Sequence, residues 1–466
     1  MDQSQVTPIE PQGEEQSRPQ EEAVQESVRL IERLLESDDR QSAWDHFGQL
    51  HPADKGEVLN GLSGELQRSL LAEMEPATVA SLLEFIEPEE SASLLRDREA
   101  THVAQVLDLT APDVAADVLH LLPAKQQLET LREMTESGEV EDLLQYRDDT
   151  AGGLMTLEFP VVTENITTPN ALDQLRLLGP DAESINSVLV VNADRRLVGS
   201  LSVTRLALAR PNAMIRDIMD THVHSVIADT DQEECARVMQ RYNLGRLPVV
   251  DQQGRLTGVI LAEDIVDVVE EEATEDMFRI AGVGEERVMG PIRNSLRSRL
   301  PWLSINLATA FLAALMVSLF EDTIVKVVAL AVFLPVVASQ GGIGGTQTVT
   351  LVVRSMALGD VPRRQGLRLL RRELVLGLAH GLVLGVMVGL VAFAWKGNPT
   401  LGLVLGVAMW ANMLVAGLAG AGVPLLLQRL HLDPAVSSAV FVTTFTDVIG
   451  FVLFLGLAAV LVEFLV

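Results

Sequence analysis

Three hydrophobic patterns follow one another along this chain. From about 27 to 146, apolar residues recur at three-and-four spacing in short segments that open on Pro or an acid, as in HPADKGEVLNGL, EPATVASLLEFI, EPEESASLLRDR and TAPDVAADVLHLLP. That pattern predicts short helices stacked as hairpins into a small superhelix, a docking module rather than a catalytic one. From 155 to 272 the period shortens and a repeat appears. VLVVNADRRLVGSLSVTRL at 188–206 matches LPVVDQQGRLTGVILAEDI at 247–265, with Gly199 and Gly258 in equivalent places. Each copy reads strand, polar turn, strand and helix start, after an amphipathic helical stretch. Beyond about 300 the chain is almost continuously apolar. Five blocks, about 301–320, 324–350, 374–395, 402–428 and 435–462, each approach the roughly twenty residues a helix needs to cross a bilayer. The predicted fold class is multidomain: an α-helical superhelix, tandem α/β modules and five transmembrane helices. The expected boundaries are a disordered acidic tail at 1–26, a helical domain at 27–146, the repeat at 147–269, a connecting helix at 270–299 and a membrane domain at 300–466.

Charge sharpens the division. The chain carries 64 acids against 35 bases, a net −29. Of these, 57 acids and 23 bases lie in 1–290, so the soluble half is strongly acidic and the membrane half mildly basic. So acidic a surface argues against nucleic-acid partners and for cations. Residues 1–26 are polar and Pro/Gln/Glu-rich, unlike a signal peptide, and the soluble half is expected to stay in the cytoplasm. Arginines flank the first span (Arg293, Arg297, Arg299), separate the second from the third (Arg354, Arg363, Arg364, Arg368, Arg371, Arg372) and precede the fifth (Arg429), whereas the opposite loops hold Glu321, Asp322, Lys326 and Lys396. The positive-inside rule then puts the N-terminus in the cytoplasm and the C-terminus outside. The single cysteine, Cys235, rules out an internal disulfide framework. No nucleophile–base constellation, phosphate loop or paired-histidine metal spacing suggests an enzyme.

Candidate chemistry lies in the spans. Asp447 sits in the last one, FVTTFTDVIGFVLFLGLAAVLV, with no cation beside it and Thr443, Thr444 and Thr446 around it. A carboxylate at membrane depth is costly and ordinarily faces protein or a water-filled path, and oxygen-only donors suit a hard cation. The second span, AVFLPVVASQGGIGGTQTVTLVV, holds Pro335 and Gly341, Gly342, Gly344 and Gly345, which predict a helix break or a close helix contact. A break could offer freed carbonyls to an ion, and Gln340, Thr346, Gln347 and Thr348 favour a pore. Small-residue packing accounts equally well for the glycines alone. Asn412, in WANMLVAGLAGAGVP, is a further pore candidate.

The stretch AEDIVDVVEEEATEDMFRIAGVGEERV joins the two halves. Asp264, Asp267, Glu270, Glu271, Glu272, Glu275 and Asp276 fall within about four helical turns. Like charges at such spacing destabilise a helix unless something neutralises them. A divalent cation would do so, and the position just before the first span suits a cation-operated lever.

Two resemblances add to this. The repeat resembles a tandem pair of cystathionine-β-synthase (CBS) domains, which implies a candidate nucleotide, ATP, at Gly258 and Asp264. The first copy has Arg205 where that Asp would stand, and the second has Leu261 in place of the usual hydroxyl. Across nearly the whole chain, YRDDTAGGLMTLEF, IMDTHVHSVIADTDQEE, EEEATEDMFRIAGV, TLVVRSMALGD and DPAVSSAVFVTTFTDVIG resemble the MgtE family of magnesium channels. That resemblance implies a homodimer in the lipid membrane, with its pore between subunits and lined by the second and fifth spans. It implies Mg²⁺ as both cargo and regulator. The pore acid would be Asp447, and Asp264, Asp267, Glu272, Glu275 and Asp276 would sense the ion through a plug helix. The family's usual GGN-x-GNQ reads GGIGGTQ here, with Ile343 and Thr346 in place of amides, and Ala439 stands where the family tends to have Asn. These departures extend the expected cargo to Mn²⁺, Co²⁺ or Ca²⁺. A non-conducting CBS-based membrane sensor is the alternative from another class.

Overall fold

A computed structural model of the chain describes residues 14–37, 39–71, 74–177, 186–284, 292–357, 365–436 and 439–465. It divides into two compact units, 1–266 and 267–466. The first unit opens with helices α1 (Glu14–Glu36), α2 (Arg40–Gln49), α3 (Pro52–Gly61), α4 (Gly64–Leu71), α5 (Pro76–Leu83), α6 (Pro88–Leu95), α7 (Ala100–Leu107), α8 (Pro112–Leu121), α9 (Ala124–Glu133) and α10 (Ser137–Leu143). Helix α1 begins at Glu14, inside the stretch expected to be disordered; its 23 residues can present one apolar face, and Ile31 on it is fully buried. Prolines start α3, α5, α6 and α8, where the missing N–H costs nothing because the first amides of a helix have no partner within it. Most of these helices pack on the one two places along, α3 on α5, α5 on α7, α7 on α9, α6 on α8 and α8 on α10, while α1 packs on both α2 and α3. This next-but-one packing is that of a superhelix of stacked hairpins.

The repeat folds as two matching sheets. Strands β1 (Val161–Thr163), β2 (Ser187–Val191) and β3 (Leu197–Ser202) form one, and β4 (Val226–Ile227), β5 (Arg246–Val250) and β6 (Leu256–Leu261) the other. In both, the first pair is parallel and the second antiparallel. Helices α11 (Thr168–Arg176), α12 (Val203–Leu208), α13 (Ile215–Ile218) and α14 (Gln232–Tyr242) complete the modules. The register repeats with the sequence: Gly199 faces Val190, Gly258 faces Val249, and each sheet shifts one residue later. The equivalent glycines have an equivalent reason. A Cβ at Gly199 would lie 2.7 Å from the Met219 sulfur, and one at Gly258 would lie 2.5 Å from the Met155 sulfur.

The long helix α15 (Ala262–Ala281) runs from the second module to the membrane unit. It covers the first part of the expected connecting helix; residues 285–291 lie outside the described residues. The membrane unit comprises α16 (Ile292–Ser318), α17 (Glu321–Lys326), α18 (Ala329–Ala357), α19 (Gly366–Lys396), α20 (Pro399–Arg429), α21 (Ala439–Val460) and α22 (Val462–Leu465). Five of these, α16, α18, α19, α20 and α21, are long and apolar enough to cross a membrane. The main difference from the sequence reading is at α19, which starts at Gly366, so Arg368, Arg371 and Arg372 belong to its first turns rather than to a loop. Arg363 and Arg364 lie outside the described residues.

Close glycine packing joins α19 to α20. A Cβ at Gly377, Gly381, Gly385 or Gly389 would approach the carbonyl oxygens of Met413, Trp410, Gly406 and Gly402 at 2.9, 2.7, 2.5 and 2.8 Å. Backbone cannot swing aside as a flexible side chain can, so this seam tolerates no added methyl. Gly385→Val should cost about 2–3 kcal/mol, the scale of overpacking, and lower the detergent unfolding temperature. Gly422→Ala, whose new carbon meets only Leu370 at 3.8 Å, should be neutral or stabilising. Equal behaviour of the two variants would show that the seam does not hold the bundle.

Candidate functional site: a polar groove between two membrane helices

Helix α18 is unbroken through Pro335 and the four glycines, so of the expected break or close helix contact it is the contact that forms. The glycines instead let α18 approach its neighbours. A Cβ at Gly345 would lie 2.5 Å from Val442 of α21, one at Gly342 would lie 3.2 Å from Thr443, and Gly341 abuts Asn412 of α20 and Thr446. Nor are the helix carbonyls left open. The hydroxyls of Thr346, Thr348 and Thr350 donate to the carbonyls of Gly342, Gly344 and Thr346 at 2.9, 3.2 and 3.0 Å. Such local bonds satisfy each hydroxyl proton on its own helix and leave its lone pairs facing outward.

Helices α18 and α21 together wall a groove of about 910 Å³. Among the described residues its lining includes Gly342, Ile343, Thr346, Gln347, Thr443 and Asp447 and holds no lysine, arginine or histidine. Thr443 and Asp447 share a helix face because they stand four residues apart, and Ile343, Thr346, Gln347 and Thr350 follow the same rule on α18. The surface therefore presents one carboxylate, several neutral oxygens and an amide. These can attract a hydrated divalent cation and accept hydrogen bonds from its waters.

Several expected pore residues are not part of this surface: Gly341 and Asn412, and likewise Gln340, Thr348, Thr444 and Thr446. Asn412 is fully buried, donates to the Val337 carbonyl at 3.0 Å and wedges between Gly341 and Gly450, so it clamps α20 to α18 and α21. Gly341 is the space that amide needs. Thr446, also fully buried, turns its hydroxyl to the Thr443 carbonyl at 2.9 Å. The sequence reading missed a second acid in the bundle. Glu373 on α19 is 8 % exposed and lies 3.5 Å from the Thr348 hydroxyl, on the side of α18 away from the groove. Its flanking arginines disguise it as loop.

Helix α15 carries the other acids. Asp264 accepts the Leu261 amide at 3.1 Å, an ordinary use of an acid in a first helical turn. Towards the far end Arg279 pairs with Glu275, one turn back, and with Asp433, just before α21. Asp276 is pushed up to about 6, first by burial and then by Asp433 and Glu272. Ile280 packs against a cluster of Val349 and Val353 from α18, Ala435 from the 3₁₀ turn at Pro434–Val436, and Val442 near the start of α21. Among the described residues no three acids, histidines or cysteines come together as a ready-made metal site. The sheet glycine Gly258, the nucleotide candidate, is covered by Met155.

Residues 334–457 match a family described as divalent cation transporter (MgtE), 26–114 and 50–149 match the MgtE intracellular N domain, and 215–271 match the CBS domain. The chain is 39 % identical over 343 residues to a magnesium transporter MgtE of Thermus thermophilus, covering 72 % of this chain and 76 % of that one. It is 33 % identical over 332 residues to a magnesium transporter MgtE of Bacillus subtilis, covering 71 % and 74 %. Among solved structures, a cytosolic domain of the Mg²⁺ channel MgtE in complex with ATP shares 34 % identity, with a TM-score of 0.47 over 52 % of this chain and 99 % of that one.

Proposed function

Because this chain belongs to the MgtE family of magnesium transporters, we propose that it is a gated channel that admits Mg²⁺ across the cytoplasmic membrane. The observation that carries this reading is the groove, lined by Asp447 together with Thr443, Thr346 and Gln347 and, among the described residues, by no basic side chain. One such groove is half a conduit. In a homodimer two would face each other and set two Asp447 carboxyls about one axis, doubling the attraction for a dication. The arginine distribution supports a cytoplasmic N-terminus and an external C-terminus. Cytoplasmic Mg²⁺ bound among Asp264, Asp267, Glu272, Glu275 and Asp276 and the acidic domains would close the channel, and ATP is a candidate ligand of the CBS pair. Divalent flux into proteoliposomes, compared for Mg²⁺, Mn²⁺, Co²⁺ and Ca²⁺, tests it. No flux of any of them would leave the sensor reading in its place.

A second reading, the same channel with broader selectivity, is favoured by Ile343 and Thr346, both in the groove lining. Ile343 is about half exposed there and cannot hydrogen-bond an ion's water. Installing Ile343→Asn and Thr346→Asn together should raise the Mg²⁺ to Ca²⁺ flux ratio by roughly tenfold, the scale of one well-made hydrogen bond. An unchanged ratio would show that these positions do not set selectivity.

A further inference from the structure

Helix α15 carries its acids in two settings. Those from Asp264 to Glu272 belong to its first three turns, whereas Glu275 and Asp276 stand beside a cation supplied by the helix itself. We propose that Arg279 is a built-in counter-ion that keeps the last turns of α15 docked on the membrane bundle in the absence of any metal. The inference rests on the gated-channel reading for its meaning, though not for its test.

Four observations converge. Arg279 reaches both Glu275 and Asp433, residues on separate elements, as its forked guanidinium allows. Asp433 is itself held, because its Oδ1 accepts the Ala435 amide at 2.7 Å, so the pair grips the turn that leads into α21. Next to Arg279, Ile280 packs on the cluster of Val349, Val353, Ala435 and Val442. Just beyond, Gly282 takes a left-handed φ of +68° and Val283 donates to the Phe278 carbonyl at 2.8 Å, while Gly284 donates to Ser298 of α16 at 3.0 Å. Helix end, pore-helix start and first span thus meet in one place. Arg279 stands among Glu275, Asp276 and Asp433, and without it the charge of Asp433 beside Asp276 would oppose the modest apolar contact. The consequence is a division of labour. The end of α15 is held against the pore helices without metal, and Mg²⁺ bound to the α15 acids acts on the rest of the helix and on the acidic domains.

Hydrogen–deuterium exchange on the full-length protein, in chelator and in excess Mg²⁺, reads both parts separately. In the parent, amides of 274–281 should be protected under both conditions. In Arg279→Gln, the same amides should exchange roughly tenfold faster in chelator, the scale of a lost charge-assisted bond. Adding Asp433→Asn, which keeps an oxygen for the Ala435 amide but removes the stranded charge, should restore most of that protection. Simple loss of arginine packing would not be rescued in this way. Unaltered exchange in Arg279→Gln, or no rescue by Asp433→Asn, would overturn the proposal. If 264–272 were indifferent to Mg²⁺ while 274–281 followed Arg279, the counter-ion would stand and the Mg²⁺ gate would fall.

Discussion

Asp447→Ala is expected to abolish divalent flux, by on the order of a hundredfold or more, while leaving insertion and folding intact. Among the described residues the carboxylate is the one charge in the groove lining, so its removal deletes the attraction that draws a dication from bulk water into a low-dielectric wall. At an effective dielectric near 20, a single charge acting on a dication a few ångströms away supplies about 4 kcal/mol or more, enough for that loss of rate. Stability should not suffer, because an isolated acid in a span opposes insertion rather than supporting it. Asp447→Asn separates charge from hydrogen bonding. If charge carries the effect, Asn should behave like Ala. If instead the Ala variant conducted like the parent in liposomes, with equal reconstitution confirmed, the groove would not be the pore.

The parts of the fold that were legible in the sequence are those that follow from composition and period. The five membrane helices announced themselves because apolar length has few other uses, and the tandem modules because their strands and turn glycines recur in register. Helix ends were harder. Arg368 to Arg372 look like loop, yet long cationic side chains can ride on a helix whose stem is apolar and whose tip reaches water, so α19 starts early. The glycines of α18 allowed either a break or a contact, and the choice belonged to neighbours distant in sequence, Val442, Thr443 and Asn412. Within the site, residue types were readable and rotational phase was not. Gly342, Thr346, Gln347, Thr443 and Asp447 share a groove, while Gly341 and Asn412 face the packed side of the same bundle. Arg279 and Asp433, separated by 154 residues, left no pattern that one sequence could reveal.

Neutralising Asp264, Asp267, Glu272 and Asp276 together, to Asn or Gln, should uncouple conduction from cytoplasmic Mg²⁺. Under the proposed gating, at low Mg²⁺ these acids would repel one another along α15 and also the acidic soluble half, which would favour an open state. Ions that bind better to the docked arrangement than to the splayed one shift the balance towards closure, and only by that difference in affinity. Several weak oxygen-ligand sites can provide a steep response in the roughly 0.1–1 mM range where one alone would not. The substitutions are chosen to spare the fold. Asn at 264 retains an oxygen for the Leu261 amide, and Glu275 is left in place with its Arg279 pair. The sign has two contributions. Removing the acids takes away the ions' reason to bind the closed form, but it also removes repulsion that holds the open form apart. Both flatten the response to Mg²⁺, while only the second raises the resting closed fraction. The variant should therefore lose Mg²⁺-induced protection of 27–290 against protease, with currents that no longer fall as internal Mg²⁺ rises, whatever their starting level. A quadruple variant that still closed with the parental steepness would place the sensor elsewhere in the chain and leave the acids of α15 as a solvated helix face.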